Sequence, residues 1–256
     1  MGGYLLNQSA PLKLDFKMSE KIWINEVNPL KKTRPSVIFA FSGPGFIGNT
    51  ALMYIARNKN FELKAEVRSK LLPPTILLME GKPIHPFRVY GDSKDELLVV
   101  ISESLVSPEN SWDIGAKLME WLLENGAKDF VCIEAMPMPQ QLKENPVYGF
   151  SIPERELIKF GARPLTEGGV SGLNAVLMEE ALKRDLPWTT LLIPTSFITS
   201  IDYAGATSVI SVLNKMYKLG VDITPLKRSI EMREEISKKA GVQEKRGLLS
   251  SLRRRG

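Results

Sequence analysis

Apolar residues come in short blocks along this chain, and the first clear block, Val37 to Phe41 (V-I-F-A-F), contains no polar position. A run of that length, β-branched and aromatic, is the profile of a strand buried on both faces. Arg34-Pro35 bounds it on one side and Ser42-Gly43-Pro44-Gly45 on the other. The period then changes, because Ile47, Ala51, Tyr54 and Ile55 fall on one face of a helix. Strand, glycine turn and covering helix together open an α/β domain.

The same rhythm returns three times. Leu97 to Ile101, Phe130 to Ile133 and Thr189 to Ile193 each read as a buried strand. Helices follow at Trp112 to Glu124, with Leu118, Met119 and Leu122 inward, at Leu173 to Lys183, and after Asp202. Asp202 is placed to cap a helix whose face is Ala206, Val209, Ile210, Leu213 and Met216, with Gly220 as its stop. Asn125-Gly126 ends the middle helix as a left-handed C-terminal cap does. The pattern predicts a mostly parallel sheet flanked by helices on both faces.

Between these units the pattern is less regular. Phe61, Leu63, Ala65 and Val67 alternate with charged residues, which predicts a half-exposed strand with those four side chains on one side. Pro73-Pro74, Thr75 to Met79, Gly81-Lys82-Pro83 and Phe87 to Tyr90 predict a small antiparallel excursion at the sheet edge. Ser102 to Ser111 reads as a loop, and Glu134 to Phe150, broken by three prolines, as a surface excursion or lid. Pro153-Glu154-Arg155-Glu156 predicts a short helix. Residues 1–33 read as an extended arm with an edge strand near Ile22-Trp23-Ile24, residues 34–227 as the α/β domain, and residues 228–256 as a C-terminal helix and flexible basic tail.

Charge changes the picture only at that tail. The chain carries a formal net charge of +5. Residues 226–256 hold ten Lys and Arg against four Glu, whereas the first 225 residues are nearly balanced, with 24 basic and 25 acidic side chains. Few aromatics accompany the arginines, which argues against a base-stacking nucleic-acid platform. Leu248, Leu249, Leu252, Arg253, Arg254 and Arg255 are instead candidates for docking on an acidic protein surface. No apolar run approaches the roughly 18–20 residues that cross a bilayer, and the start lacks the blocks of a signal peptide, so a cytoplasmic protein without membrane contact is expected.

Candidate chemistry is sparse. A single cysteine, Cys132, and a single histidine, His85, leave no thiolate cluster or His-based metal set within one chain. Cys132 in F-V-C-I reads as a buried apolar residue and His85 in P-I-H-P as a turn residue. No cofactor and no metal are expected. Gly43, Gly45 and Gly48 match a dinucleotide fingerprint after a strand and before a helix, but Pro44 removes an amide donor from the turn. Gly168, Gly169 and Gly172 form a second glycine loop, so the two loops are candidates for a ligand pocket at one sheet edge. Glu103 and Glu134, at strand ends, would serve as acid and base only if the fold brought them together.

Taken in order, the strand running into G-P-G-F-I-G, then P-P-T-I-L-L-M-E-G-K-P-I-H-P-F-R-V-Y, E-L-L-V-V-I-S-E-S, G-G-V-S-G-L-N-A-V-L-M-E-E-A and D-Y-A-G-A-T-S-V-I resemble the proteasome assembly chaperone family. The resemblance spans about Val37 to Lys227. It implies a phosphorylase-like or hydrolase-like α/β fold, a homo-oligomer, and a non-enzymatic role in binding partner proteins, proteasome core-particle subunits among them. Members that dock on the core particle tend to end in a hydrophobic residue, a tyrosine and one last residue. Here the last residues are Leu252-Arg253-Arg254-Arg255-Gly256 and the last tyrosine is Tyr217, a departure from that pattern. The second expectation is a small-molecule or nucleotide-binding enzyme of the phosphorylase-like fold, using the two glycine loops.

Overall fold

The computed structural model of the chain describes residues 21–228 and 230, apart from 141 and 143. The arm before Lys21 and the tail residues Leu248, Leu249, Leu252, Arg253, Arg254 and Arg255 lie outside the described residues, as does most of the C-terminal helix expected after Lys227.

In chain order the elements are β1 (Ile22–Glu26), β2 (Ser36–Phe41), α1 (Ile47–Asn58), β3 (Glu62–Ser69), β4 (Leu77–Met79), β5 (Lys82–Ile84), β6 (Phe87–Gly91), β7 (Leu97–Ser102), α2 (Pro108–Glu124), β8 (Asp129–Pro137), β9 (Val147–Ile152), β10 (Ala162–Pro164), α3 (Gly172–Leu182), β11 (Trp188–Thr195) and α4 (Tyr203–Tyr217). One sheet holds the strands in the order β1-β3-β6-β7-β2-β8-β11-β9-β10, and β4 and β5 form a separate hairpin. Its centre, β7-β2-β8-β11, is parallel, as the four repeated strand-loop-helix units require. Antiparallel pairs carry it outward, β6, β3 and β1 on one side and β9 on the other.

Alternation along β2 explains the two cores. Ile38 and Ala40 face α1 and α4 and pack with Ile47, Ala51, Ile55, Val209 and Leu213. Val37 and Phe39 face α2 and α3 and pack with Ile114, Leu118, Leu122, Leu177 and Trp188. Phe39, Phe130 and Trp188 form a triangular ring cluster, the Phe39 centroid 6.0 and 5.9 Å from the other two and those 6.4 Å from each other. The strand lacks polar positions because both of its faces lie under helices.

Several expectations shift. Phe87 to Gly91 is an interior strand of the main sheet, so only β4 and β5 form the antiparallel excursion. The register of β3 slips between Leu63 and Ala65, a β-bulge that breaks the alternation. Phe61 therefore packs on the α1 side, whereas Ala65 and Val67 face α2. Lys64 is buried beside the bulge and paired with Asp95 at 3.0 Å. Helix α2 starts at Pro108, four residues inside the expected loop, with proline at its first turn. Strand β8 runs on to Pro137, and Val147–Ile152 is a strand within the stretch expected to be irregular. Residues 153–156 are not helical; the short helix is a 3-10 turn over Leu157–Phe160.

Candidate functional site

The parallel strands β2, β7 and β8 all end on one edge of the sheet, where open α/β sheets place their ligands. On that edge lies a cleft of about 310 Å³. Gly43, Pro44 and Gly48 form one wall, Ser104, Leu105 and Val106 a second, and Ser171, Gly172 and Asn174 a third, with Ile133 and Glu134 from β8 between them. The helices α1 and α3 both begin at this cleft, and neither N-terminus is capped by a side chain.

The two glycine loops thus meet only in part. Gly43, Gly48 and Gly172 line the cleft. Gly168 and Gly169 line a separate hollow of about 350 Å³ with Val170, Ala175 and Met178. Gly45 faces away, towards α4: its φ is +67°, and a Cβ there would stand 3.0 Å from Asp202 Cβ and 3.1 Å from Thr195 Oγ1. Its carbonyl accepts from Asp202 N–H at 2.9 Å. Asp202 in turn accepts from Gly205 N–H and from Thr195 Oγ1, each at 2.8 Å, and so holds the N-terminus of α4 as the sequence predicts. Gly48 is required by packing, since a Cβ there would lie 2.8 Å from Ala40 Cβ on β2.

Asn174 Nδ2 donates to Glu134 Oε1 at 2.7 Å. Burial pushes the Glu134 carboxyl above the ordinary range, and the bond from Asn174 offsets that only in part. Asn174 Oδ1 and Ser104 Oγ are buried without a hydrogen-bond partner. Glu103 does not line the cleft. It pairs instead with Arg88, a fully buried guanidinium that also lies over the Tyr90 ring, and burial raises its pKa despite that charge. The two carboxyls are therefore not an acid–base pair in one cleft. Cys132 is buried, and burial pushes its thiol up, away from reactivity. His85 Nδ1 accepts from Phe87 N–H at 3.2 Å, the behaviour of a turn residue. Among the described residues no group of His, Cys, Asp and Glu could hold a metal, and no helix is long and apolar enough to cross a membrane.

Sequence reasoning named Glu134 but missed Asn174 and Ser104. The only signal for Asn174 was its place in the first turn of a helix after a glycine loop, which says nothing of a carboxyl 40 residues earlier.

The profile of the PAC2 family matches residues 37–240, most of the chain. The chain is a member of the PAC2 family. An uncharacterised protein of Methanocaldococcus jannaschii is 25% identical over 229 residues, covering 89% of this chain and 91% of that one. Among solved structures, Pyrococcus furiosus PbaA, described as an archaeal homolog of proteasome-assembly chaperone, superposes with a TM-score of 0.78 at 26% identity, over 90% of this chain and 97% of its own. Pyrococcus furiosus PbaB, described as an archaeal proteasome activator, has a TM-score of 0.73 over 86% of this chain and 99% of its own. At 18% identity it shows a shared fold alone. The resemblance read from the glycine turn and its companion segments thus holds at the level of the family.

Proposed function

We propose that this PAC2 protein is a non-enzymatic, homo-oligomeric assembly chaperone that binds partner proteins, with proteasome core-particle subunits first among them. The observation that carries the reading is the likeness to PbaA along nearly the whole length of both chains. The chemistry of the described surface agrees with it. Glu103 pairs with Arg88 and Glu134 with Asn174 at separate places, and the one thiol and one imidazole serve packing and a turn. The basic tail, with Leu248, Leu249, Leu252 and Arg253 to Arg255, supplies a docking segment for an acidic surface. Cytoplasmic residence and the likeness to nucleoside phosphorylases belong to the same reading.

Affinity capture of the tagged full-length chain from its source cell tests this. Core-particle subunits should co-purify, and light scattering should give a mass that is a multiple of the monomer. Repeated capture without any proteasome subunit, or a monomeric mass at micromolar concentration, would overturn the corresponding half of the reading.

A further inference from the structure

The cleft at the end of β2, β7 and β8 has a polar inventory that the chaperone reading does not use. Asn174 is 5% exposed and Ser104 3%, yet Asn174 Oδ1 and Ser104 Oγ have no hydrogen-bond partner. Buried polar groups left unpaired cost free energy, and where they line a cavity they point to a missing partner. Asn174 Nδ2 is already committed to Glu134, so the free oxygen of the amide and the carboxyl beside it together seek a donor. None of the described residues lining the cleft is a Lys, Arg or His that could supply one.

The opposite need is present a short way along the same wall. Ser171, Gly172, Leu173 and Asn174 are the cap and first turn of α3, an 11-residue helix whose N-terminal amides receive no side-chain cap. The N-terminus of α1 opens on the same space and is likewise uncapped. Such amides and the aligned helix dipoles favour an anion. A simple anion such as phosphate would meet the Glu134 carboxyl with no cation to offset it. A simple amine would meet two helix N-termini. A small molecule with both signs on neighbouring atoms suits both groups, and Phe41, Ile47, Leu105, Val106 and Leu173 offer it an apolar enclosure. A volume of about 310 Å³ lies at the small end of ligand pockets, suited to a single small metabolite.

We propose that this cleft binds a free α-amino acid with an apolar side chain, its ammonium donating to Glu134 and Asn174 Oδ1 and its carboxylate accepting from the first-turn amides of α3. Discontinuous helix N-termini hold substrate carboxylates in this manner elsewhere. The apolar side chain packs against Leu105, Val106 and Leu173. A bound amino acid would supply the donor that Asn174 Oδ1 lacks and the counter-charge that Glu134 lacks. The proposal does not rest on partner-protein binding, so its failure would leave the chaperone reading standing.

Isothermal titration of the full-length protein with L-leucine, L-valine and L-phenylalanine tests the site. At least one should bind saturably in the micromolar to millimolar range. Two truncated analogues isolate the poles: 4-methylpentanoate lacks the ammonium, and 3-methylbutan-1-amine lacks the carboxylate. Each should bind about tenfold or more weakly than leucine, the loss expected for one charge-assisted hydrogen bond. Glu134→Gln keeps the shape of the side chain and should weaken leucine to the same degree. The analogue comparison uses the unaltered protein and remains decisive if the variant folds poorly. The proposal is overturned if none of the three amino acids binds saturably, or if either analogue, or inorganic phosphate, binds as tightly as the best amino acid.

Discussion

At Glu134 the fold buries a carboxyl with one good donor, Asn174 Nδ2, and no ion pair among the described residues. The sign of the consequence follows from linkage. A carboxyl whose folded pKa lies above its unfolded value favours folding while protonated, and that contribution is lost as pH rises through the folded pKa. Glu134→Gln cannot ionise and escapes this loss. The variant should therefore gain stability relative to the parent as pH rises from about 4, the unfolded carboxyl range, towards neutrality and above. Urea midpoints of the two proteins at acidic and mildly basic pH check this, and a constant difference between them would refute it. The residue was legible as the carboxyl that closes the apolar run V-C-I, but the strand end expected there is not found, because β8 runs three residues past it to Pro137. Its environment was not legible, since the Asn174 donor comes from a helix that reaches the same edge only after β9 and β10 have been laid down.

Between elements, Gly45 is the joint that fits the β2–α1 turn beneath α4. Its positive φ, the contacts a Cβ would make with Asp202 and Thr195, and its carbonyl bond to Asp202 N–H all act at one point. Gly45→Ala should destabilise the protein by about 1–3 kcal/mol, the usual cost of a strained non-glycine backbone. Thermal or denaturant unfolding measures it, and a change within the scatter of ordinary surface substitutions would sink the assignment. The glycine spacing 43, 45 and 48 suggested a nucleotide turn, and the fold gives the three residues different tasks. Gly43 and Gly48 face the cleft, Gly48 also lets α1 sit close on β2, and Gly45 receives the α4 cap. Elements with a clean period were readable, as α4 was from Asp202 onward. Strand β9, V-Y-G-F-S-I between Pro146 and Pro153, was hidden because its glycine and flanking prolines read as breakers. Its hydrogen bonds come from β11, some 40 residues later in the chain, and no local pattern reports such a partner.

For the molecule as a whole, the folded body is nearly neutral and the positive charge gathers after Leu226. If the tail docks on a partner, deleting residues 241–256 should leave the far-ultraviolet circular dichroism spectrum and the number of chains per particle in solution unchanged while abolishing partner capture. Capture by the shortened chain at the original yield and salt dependence would reduce the tail to a solubilising extension. The body itself is organised by its parallel centre, with antiparallel strands added on both flanks. Covering helices on both faces explain why β2 and β7 are apolar almost throughout and why β8 and β11 keep apolar blocks at Phe130–Ile133 and Leu191–Ile193, whereas the half-exposed β1 and β3 mix apolar and charged residues.

The sequence by itself determined the α/β class, the four central strands with their helices, the cap at Asp202 and the family, because each is written in local periodicity, in turn residues or in the order of short motifs. Tertiary structure alone decided which glycines share a cleft, that Glu103 and Glu134 stand apart, that Phe87–Gly91 is an interior strand, and that Asn174 meets Glu134. Those outcomes depend on strand order and register, which join residues 36 to 61 positions apart through hydrogen bonds that any apolar strand of the right length could make.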